Sequence, residues 1–96
     1  MPGFNTEVKR LGTAFHVQTQ DVGPSGRYIE SLIYKSGKLL STRKTDYTSF
    51  LASPQLQARV QQLMEEQHNT IIREISDGRF DHLLTPDERK PLPEKG

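Results

Sequence analysis

Glu65, Glu66 and His68 are the first residues of this sequence that invite a chemical reading. Glu65 and His68 stand three apart, the Glu-x-x-His spacing with which helical bundles hold a pair of metal ions. Such a centre draws further carboxylates from other helices, and only one long helical pattern exists here, so the spacing reads first as a solvated helix face. His16 belongs to the alternating run Phe15-His-Val-Gln-Thr-Gln20. There it shares a side with Gln18 and Gln20, as a surface polar row or a recognition surface. His82, beside Leu83, reads as a capping or packing residue. The absence of cysteine excludes disulfides, thiolate metal sites and a cysteine nucleophile, and fits a reducing compartment. The serines at 25, 31, 36, 41, 49, 53 and 76 have local uses as turn, strand or cap residues, and none lies in a nucleophile-elbow context. Gly23 and Gly26 bracket Pro24 in a run leading into a strand rather than a helix, which does not make a phosphate loop. The expectation is a protein that is not an enzyme and holds no cofactor or metal.

Charge supplies a second lead. Lys35, Lys38, Arg43 and Lys44 cluster near Tyr28 and Tyr34, a combination with which basic sheets bind single-stranded nucleic acid by stacking and phosphate contact. The formal net charge is only +1, however, which weakens a counterion-release contribution. Residues 1–45 carry seven Lys or Arg against three acids, and residues 46–96 carry six against nine. A chain with one basic and one acidic half orients against a charged partner or a second copy. The basic hairpin therefore reads as a solvated surface, a protein-recognition surface or a nucleic-acid surface.

The elements that position these residues follow from periodicity and turn chemistry. Residues 1–12 hold only scattered apolar side chains and are expected to form a flexible arm. Thr13 to Gln20 alternates with period two, the pattern of a half-buried strand. Asp21 to Gly26 is a loop, and Arg27 to Lys35 and Lys38 to Thr45 are strands joined by Ser36-Gly37, a two-residue hairpin link. In the first of these both Ile29/Ile33 and Tyr28/Leu32/Tyr34 are apolar, so one sheet face awaits the helix and the other something outside the chain. Asp46 to Ala52 is a connector carrying Tyr47, Phe50 and Leu51. Ser53-Pro54 opens a helix running to Ser76 or Asp77, with Leu56, Val60, Leu63, Gln67, Ile71 and Ile75 as its apolar stripe and Met64 and Ile72 widening it. Gly78 ends it. The apolar stripe reads first as core; at about 33 Å the helix can also overreach a three-stranded sheet, in which case Ile71, Ile72 and Ile75 reach a partner or a second copy. Arg79 to Leu84 docks back, and the charged, proline-containing residues 85–96 are expected to be disordered.

The predicted fold is α+β: a three-stranded antiparallel meander followed by one long amphipathic helix, a single small domain at 13–84 with disordered termini. With 96 residues and 32% hydrophobic composition, its core is small and gains from self-association or a partner. The longest apolar runs are two or three residues. Neither a membrane span nor a signal peptide is expected, which places the protein in the cytoplasm.

The strings Phe15-His-Val-Gln-Thr-Gln-Asp21, Ile29-Glu-Ser-Leu-Ile-Tyr34, Gly37 with Arg43-Lys-Thr-Asp-Tyr47, and Glu66-Gln-His68 with Gly78 resemble a short module of gliding bacteria and their relatives. That module occurs alone or attached to other signalling domains, and the resemblance covers about residues 13–84. A narrower similarity is to the RomX-like polarity proteins, which act with a response regulator on a Ras-like GTPase of the MglA type. It implies a non-enzymatic interaction module in bacterial signalling or cell polarity, one that favours the GTP-bound state as a guanine nucleotide exchange factor or an adaptor. No functional residue is carried over from it. From the residues themselves, His16, Gln18, Gln20, Arg43, Lys44 and Tyr47 are expected to contact the partner, from the polar face of the sheet and its adjoining corner. A single-strand nucleic-acid binder and a structural homodimer are the competing readings.

Overall fold

The computed structural model describes residues 3–23, 26–86 and 88. Its four strands are β1 (Phe4–Arg10), β2 (Thr13–Asp21), β3 (Tyr28–Lys35) and β4 (Lys38–Asp46), followed by a 3-10 turn at Thr48–Phe50, the helix α1 (Leu56–Ser76) and a second 3-10 turn at Asp81–Leu83. The class is the expected α+β, but the sheet has four antiparallel strands in the order β1-β2-β3-β4 rather than three. The extra strand is the expected flexible arm. Phe4, Thr6, Val8 and Arg10 turn toward the helix while Asn5, Glu7 and Lys9 are exposed, and Val8 is buried. The expected disorder of residues 85–96 falls outside the described residues except at Thr85, Pro86 and Glu88. Glu88, which is described, accepts hydrogen bonds from the Thr85 N–H and from Lys35.

Two tight hairpins set the sheet's register. Leu11 and Gly12 have φ of 54° and 85°, and Ser36 and Gly37 have 53° and 80°, the paired positive values of the turn whose twist matches that of flanking strands. Glycine at the second position adopts this conformation without a Cβ penalty, whereas Leu11 is strained there. From these turns the ladders run Arg10 opposite Thr13 to Phe4 opposite Thr19, and Lys35 opposite Lys38 to Tyr28 opposite Asp46. One irregularity interrupts β4, where the pairing steps from Tyr34–Leu39 to Ile33–Ser41 and leaves Leu40 without an opposite residue.

The helix lies over β1, β2 and β3. It starts two residues later than expected. Ser53 caps the turn before it, accepting the Gln55 N–H at 3.1 Å. At its end Gly78 N–H bonds the Ile75 carbonyl and Arg79 N–H that of Glu74, a left-handed glycine stop at φ 88°. Beneath the helix the core divides in two. Val8, Phe15, Val17, Ile33, Ile71 and Ile75 pack with Phe80 and Leu84 of the returning segment, while Ile29, Tyr47, Val60 and Met64 form a second cluster. Ile71 and Ile75 are thus fully buried and Ile72 packs against the same cluster, so the stripe is core, as it reads first, and the alternative in which its end reaches a partner does not hold. β1 widens the sheet enough to cover them. The returning segment is held by Arg10, whose guanidinium donates to both oxygens of Asp81 at 3.1 and 2.9 Å.

β1 is therefore part of the folded unit. A chain beginning at Leu11 loses the buried Val8, the Thr6 hydroxyl against His68 and the Arg10–Asp81 pair, and is expected to be less stable by more than ~3 kcal/mol. Urea unfolding followed by circular dichroism checks this; a midpoint equal to that of the full chain restores the flexible-arm reading.

Candidate interaction surface

Period-two alternation gives the sheet two unlike faces. Phe15, Val17, Thr19, Ile29, Ser31 and Ile33 go under α1. Their neighbours in sequence form an outer face over which no other element of the described chain lies. Three transverse rows compose its centre. Glu7, His16, Tyr34 and Leu39 stand opposite one another in turn, as do Asn5, Gln18, Leu32 and Thr42, and then Gln20, Glu30 and Lys44. Leu32 and Tyr34 are half-buried among polar neighbours, and Leu39 is 52% exposed. A shallow depression between His16, Gln18, Tyr34 and the Ser36-Gly37 turn sits beside them. The rim is polar. A His16 ring nitrogen is hydrogen-bonded with Asn5 Oδ1, Gln20 Nε2 donates to Glu30 Oε1 at 3.3 Å, and the Lys44 ammonium lies 5.1 Å from the centre of the Tyr28 ring.

Four of the six expected contact residues, His16, Gln18, Gln20 and Lys44, share this face. The other two do not. Arg43 is adjacent to Lys44 in a strand, so it points to the opposite side, where its guanidinium donates to Glu74 of α1 at 3.3 and 2.8 Å. Tyr47 is buried, 4% exposed, and its phenol donates to Asp21 Oδ1 at 2.6 Å. Burial first, then the Asp21 carboxylate, push its pKa up to about 12. The same carboxylate oxygen accepts the Gly23 N–H, and the Tyr47 N–H donates to the Arg27 carbonyl, so Tyr47 anchors both ends of the loop between β2 and β3. Leu39 is the member of the face that periodicity did not reveal, because the irregularity at Leu40 reverses the alternation of β4.

The basic hairpin is partly neutralised from within. Arg43 pairs with Glu74, and Lys35 reaches Glu88 at 2.6 Å and the Leu83 carbonyl at 3.2 Å. Of the four hairpin cations, Lys38 and Lys44 are exposed.

His68 departs from the sequence reading entirely. Rather than facing solvent with Glu65, it is 3% exposed and points into the sheet, with both ring nitrogens engaged. Nδ1 is 2.7 Å from Thr19 Oγ1 and Nε2 is 2.8 Å from Thr6 Oγ1. Thr19 Oγ1 is in turn 2.7 Å from Ser31 Oγ. Gln67 donates to Ser31 Oγ at 2.8 Å and to the Arg43 carbonyl at 3.1 Å, and accepts from Thr45. Donor counting orders the protons. Since Ser31 accepts from Gln67, its own proton goes to Thr19, that of Thr19 to Nδ1, and the Nε2–H donates to Thr6. Every buried hydroxyl proton then has an acceptor, and the imidazole is neutral. Among the described residues no three His, Cys, Asp or Glu side chains gather as a metal site, and no helix is long and apolar enough to cross a membrane.

This polar seam has two measurable consequences. Thr19→Val leaves Nδ1 without a donor and Ser31 without an acceptor, and is expected to destabilise the fold by about 1–3 kcal/mol in urea titration while the outer face is unchanged. Burial also holds the His68 pKa below its ordinary 6.5. Above that value the ring is neutral whether the chain is folded or not, and the seam contributes in full. Below it the unfolded chain binds a proton that the folded one refuses, so stability falls as the pH drops from 6.5 toward the lowered folded pKa. The urea midpoint should show this decline, and His68→Gln should flatten it; parallel pH profiles for the two proteins would assign the decline to other groups.

No protein-family model, curated protein or solved structure matches the chain, and the outer sheet face itself is what carries its functional reading.

Proposed function

We propose that the protein is a non-enzymatic interaction module that docks on a protein partner through the outer face of its sheet, in bacterial signalling or cell polarity. The observation behind this is the strip of Leu32, Tyr34 and exposed Leu39 crossing a face that α1 leaves open, bordered by His16, Gln18, Gln20 and Lys44. Apolar and aromatic anchors inside a polar rim are the composition of a recognition surface. The resemblance of residues 13–84 to modules of gliding bacteria suggests the partner, a Ras-like GTPase or the response regulator that works with it. Exchange-factor activity fits such a surface because it requires no bond-making group. It requires only that the nucleotide-free or open GTPase be bound more tightly than the closed one. An adaptor that brings the GTPase to its regulator needs the same face without that preference.

The single-strand nucleic-acid reading draws less support, since Arg43 and Lys35 already satisfy Glu74 and Glu88.

Release of fluorescent GDP from the purified Ras-like GTPase of the same cells, with and without the chain, separates these roles. Faster release supports an exchange factor, and binding without acceleration supports an adaptor. Leu39→Glu leaves the core untouched and is expected to weaken binding about tenfold or more. No binding to the GTPase or to the response regulator, or equal binding by Leu39→Glu, removes the proposal.

A further inference from the structure

We infer that the open edge of β1 is a self-complementary docking strand, and that two copies of the chain pair there antiparallel, Val8 opposite Val8, to form one continuous eight-stranded sheet. β1 is an outer strand of the sheet, paired only with β2. The two-residue turn at Leu11-Gly12 makes Arg10 and Thr13 the closing hydrogen-bonded pair. Alternation along the ladder then aims the peptide groups of Thr6 and Val8 at β2, and those of Asn5, Glu7 and Lys9 outward. These outward N–H and C=O groups are a template for another strand.

Charge selects the strand and its register. Glu7 and Lys9 are both exposed on the same face, two residues apart, and neither has an ion-pair partner among the described residues. Only registers that keep inward residues opposite inward ones leave both helices on one side of the joined sheet. Of these, the one centred on Glu7 opposes two carboxylates, and the one centred on Thr6 sets Glu7 against the neutral Asn5. Centring on Val8 sets each Glu7 against the other copy's Lys9, twice, at the very pairs whose outward peptide groups exchange hydrogen bonds. On the inner side it covers what remains exposed of Val8. The opposite edge offers it only about Thr45, where Lys44 would face Asp46 across a three-residue overlap and the Asp46 carboxylate already accepts the Thr48 N–H. β4 is interrupted at Leu40, and pairing its unbroken stretch Ser41–Asp46 about Arg43 or Lys44 sets like charges face to face, while pairing about Thr42 or Thr45 overlaps three residues only.

Sedimentation velocity on the full chain tests the inference through a charge swap. The wild type is expected to run at twice 10.9 kDa over a wide concentration range. Lys9→Glu and Glu7→Lys each put like charges in both pairs and should weaken dimerisation about tenfold or more. Mixing the two variants restores one Glu–Lys pair of each polarity and should restore the dimer as a heterodimer, with circular dichroism confirming that each is folded. Should one variant fail to fold, the double variant Glu7→Lys, Lys9→Glu replaces the mixture and should dimerise like the wild type. A wild type that stays at 10.9 kDa throughout overturns the inference. So does dimerisation that neither charge change affects, because the contact then lies elsewhere.

Discussion

The hydrogen-bonded seam from Thr6 through His68, Thr19, Ser31 and Gln67 to Thr45 ties all four strands to one helix, and the remainder of the fold is arranged around it. Thr19, Ser31 and His68 would each be expensive to bury alone. Linked in one direction, with no buried side-chain donor or acceptor left over among the described residues, they remove that cost and impose a condition. A strand slipped by one residue turns its hydroxyl to the outer face, and one slipped by two carries it a full side-chain step from its partner. The hydrophobic clusters on either side would tolerate such shifts better, since apolar contact is not directional. Register between β2 and β3, which no tight turn joins, is thus specified by the least hydrophobic residues of the sheet, and in the two hairpins the same residues reinforce what the turns set.

With register fixed, the corners need only light fastening. Arg10–Asp81, Lys35–Glu88 and Arg43–Glu74 each join the sheet to the helix or to the segment after it. All are partly solvated, and pairs of this kind contribute about 0–1 kcal/mol apiece. Their effect is positional. They hold the returning segment over the first core cluster, and they draw cationic charge away from the hairpin, leaving an outer face that is mixed rather than basic.

Much of this was legible in the sequence, and the exceptions share a cause. The alternation of Phe15, Val17 and Thr19, the Ser36-Gly37 turn and the Gly78 stop each express local rules, and each element lies where those rules put it. β1 has the same alternation, but its inward residues after Phe4 are Thr6, Val8 and Arg10. Two of the three are polar, and what rewards their inward placement, His68 and Asp81, lies 62 and 71 residues away. The burial of His68 escapes a reading of the sequence for the matching reason. On a helical wheel an imidazole beside Glu65 looks solvated, and only the hydroxyls of β1 and β2 make burial favourable. Arg43 obeys plain strand alternation once β4 is placed, and its separation from Lys44 was available from the outset. Tyr47 follows a strand end, where alternation no longer predicts a side chain's direction, and its Asp21 partner fixes it.

A seam that permits one register also bears on how the outer face can act. A face held on a single backbone arrangement cannot reshape itself to a partner, so any effect on that partner comes from which of the partner's conformations it fits. On the proposed reading the asymmetry between two nucleotide states of a GTPase would have to reside in the GTPase, with this sheet as a fixed template. Each tenfold preference for one state corresponds to about 1.4 kcal/mol. One well-seated apolar anchor supplies a difference of that size if it is buried in one state of the partner and exposed in the other. Leu39 and Tyr34, neighbours across the β3–β4 hairpin, are placed to serve as such anchors. The constraint that organises the core and the surface proposed to meet a partner are in this sense one design: polar residues beneath the sheet hold in place the apolar ones above it.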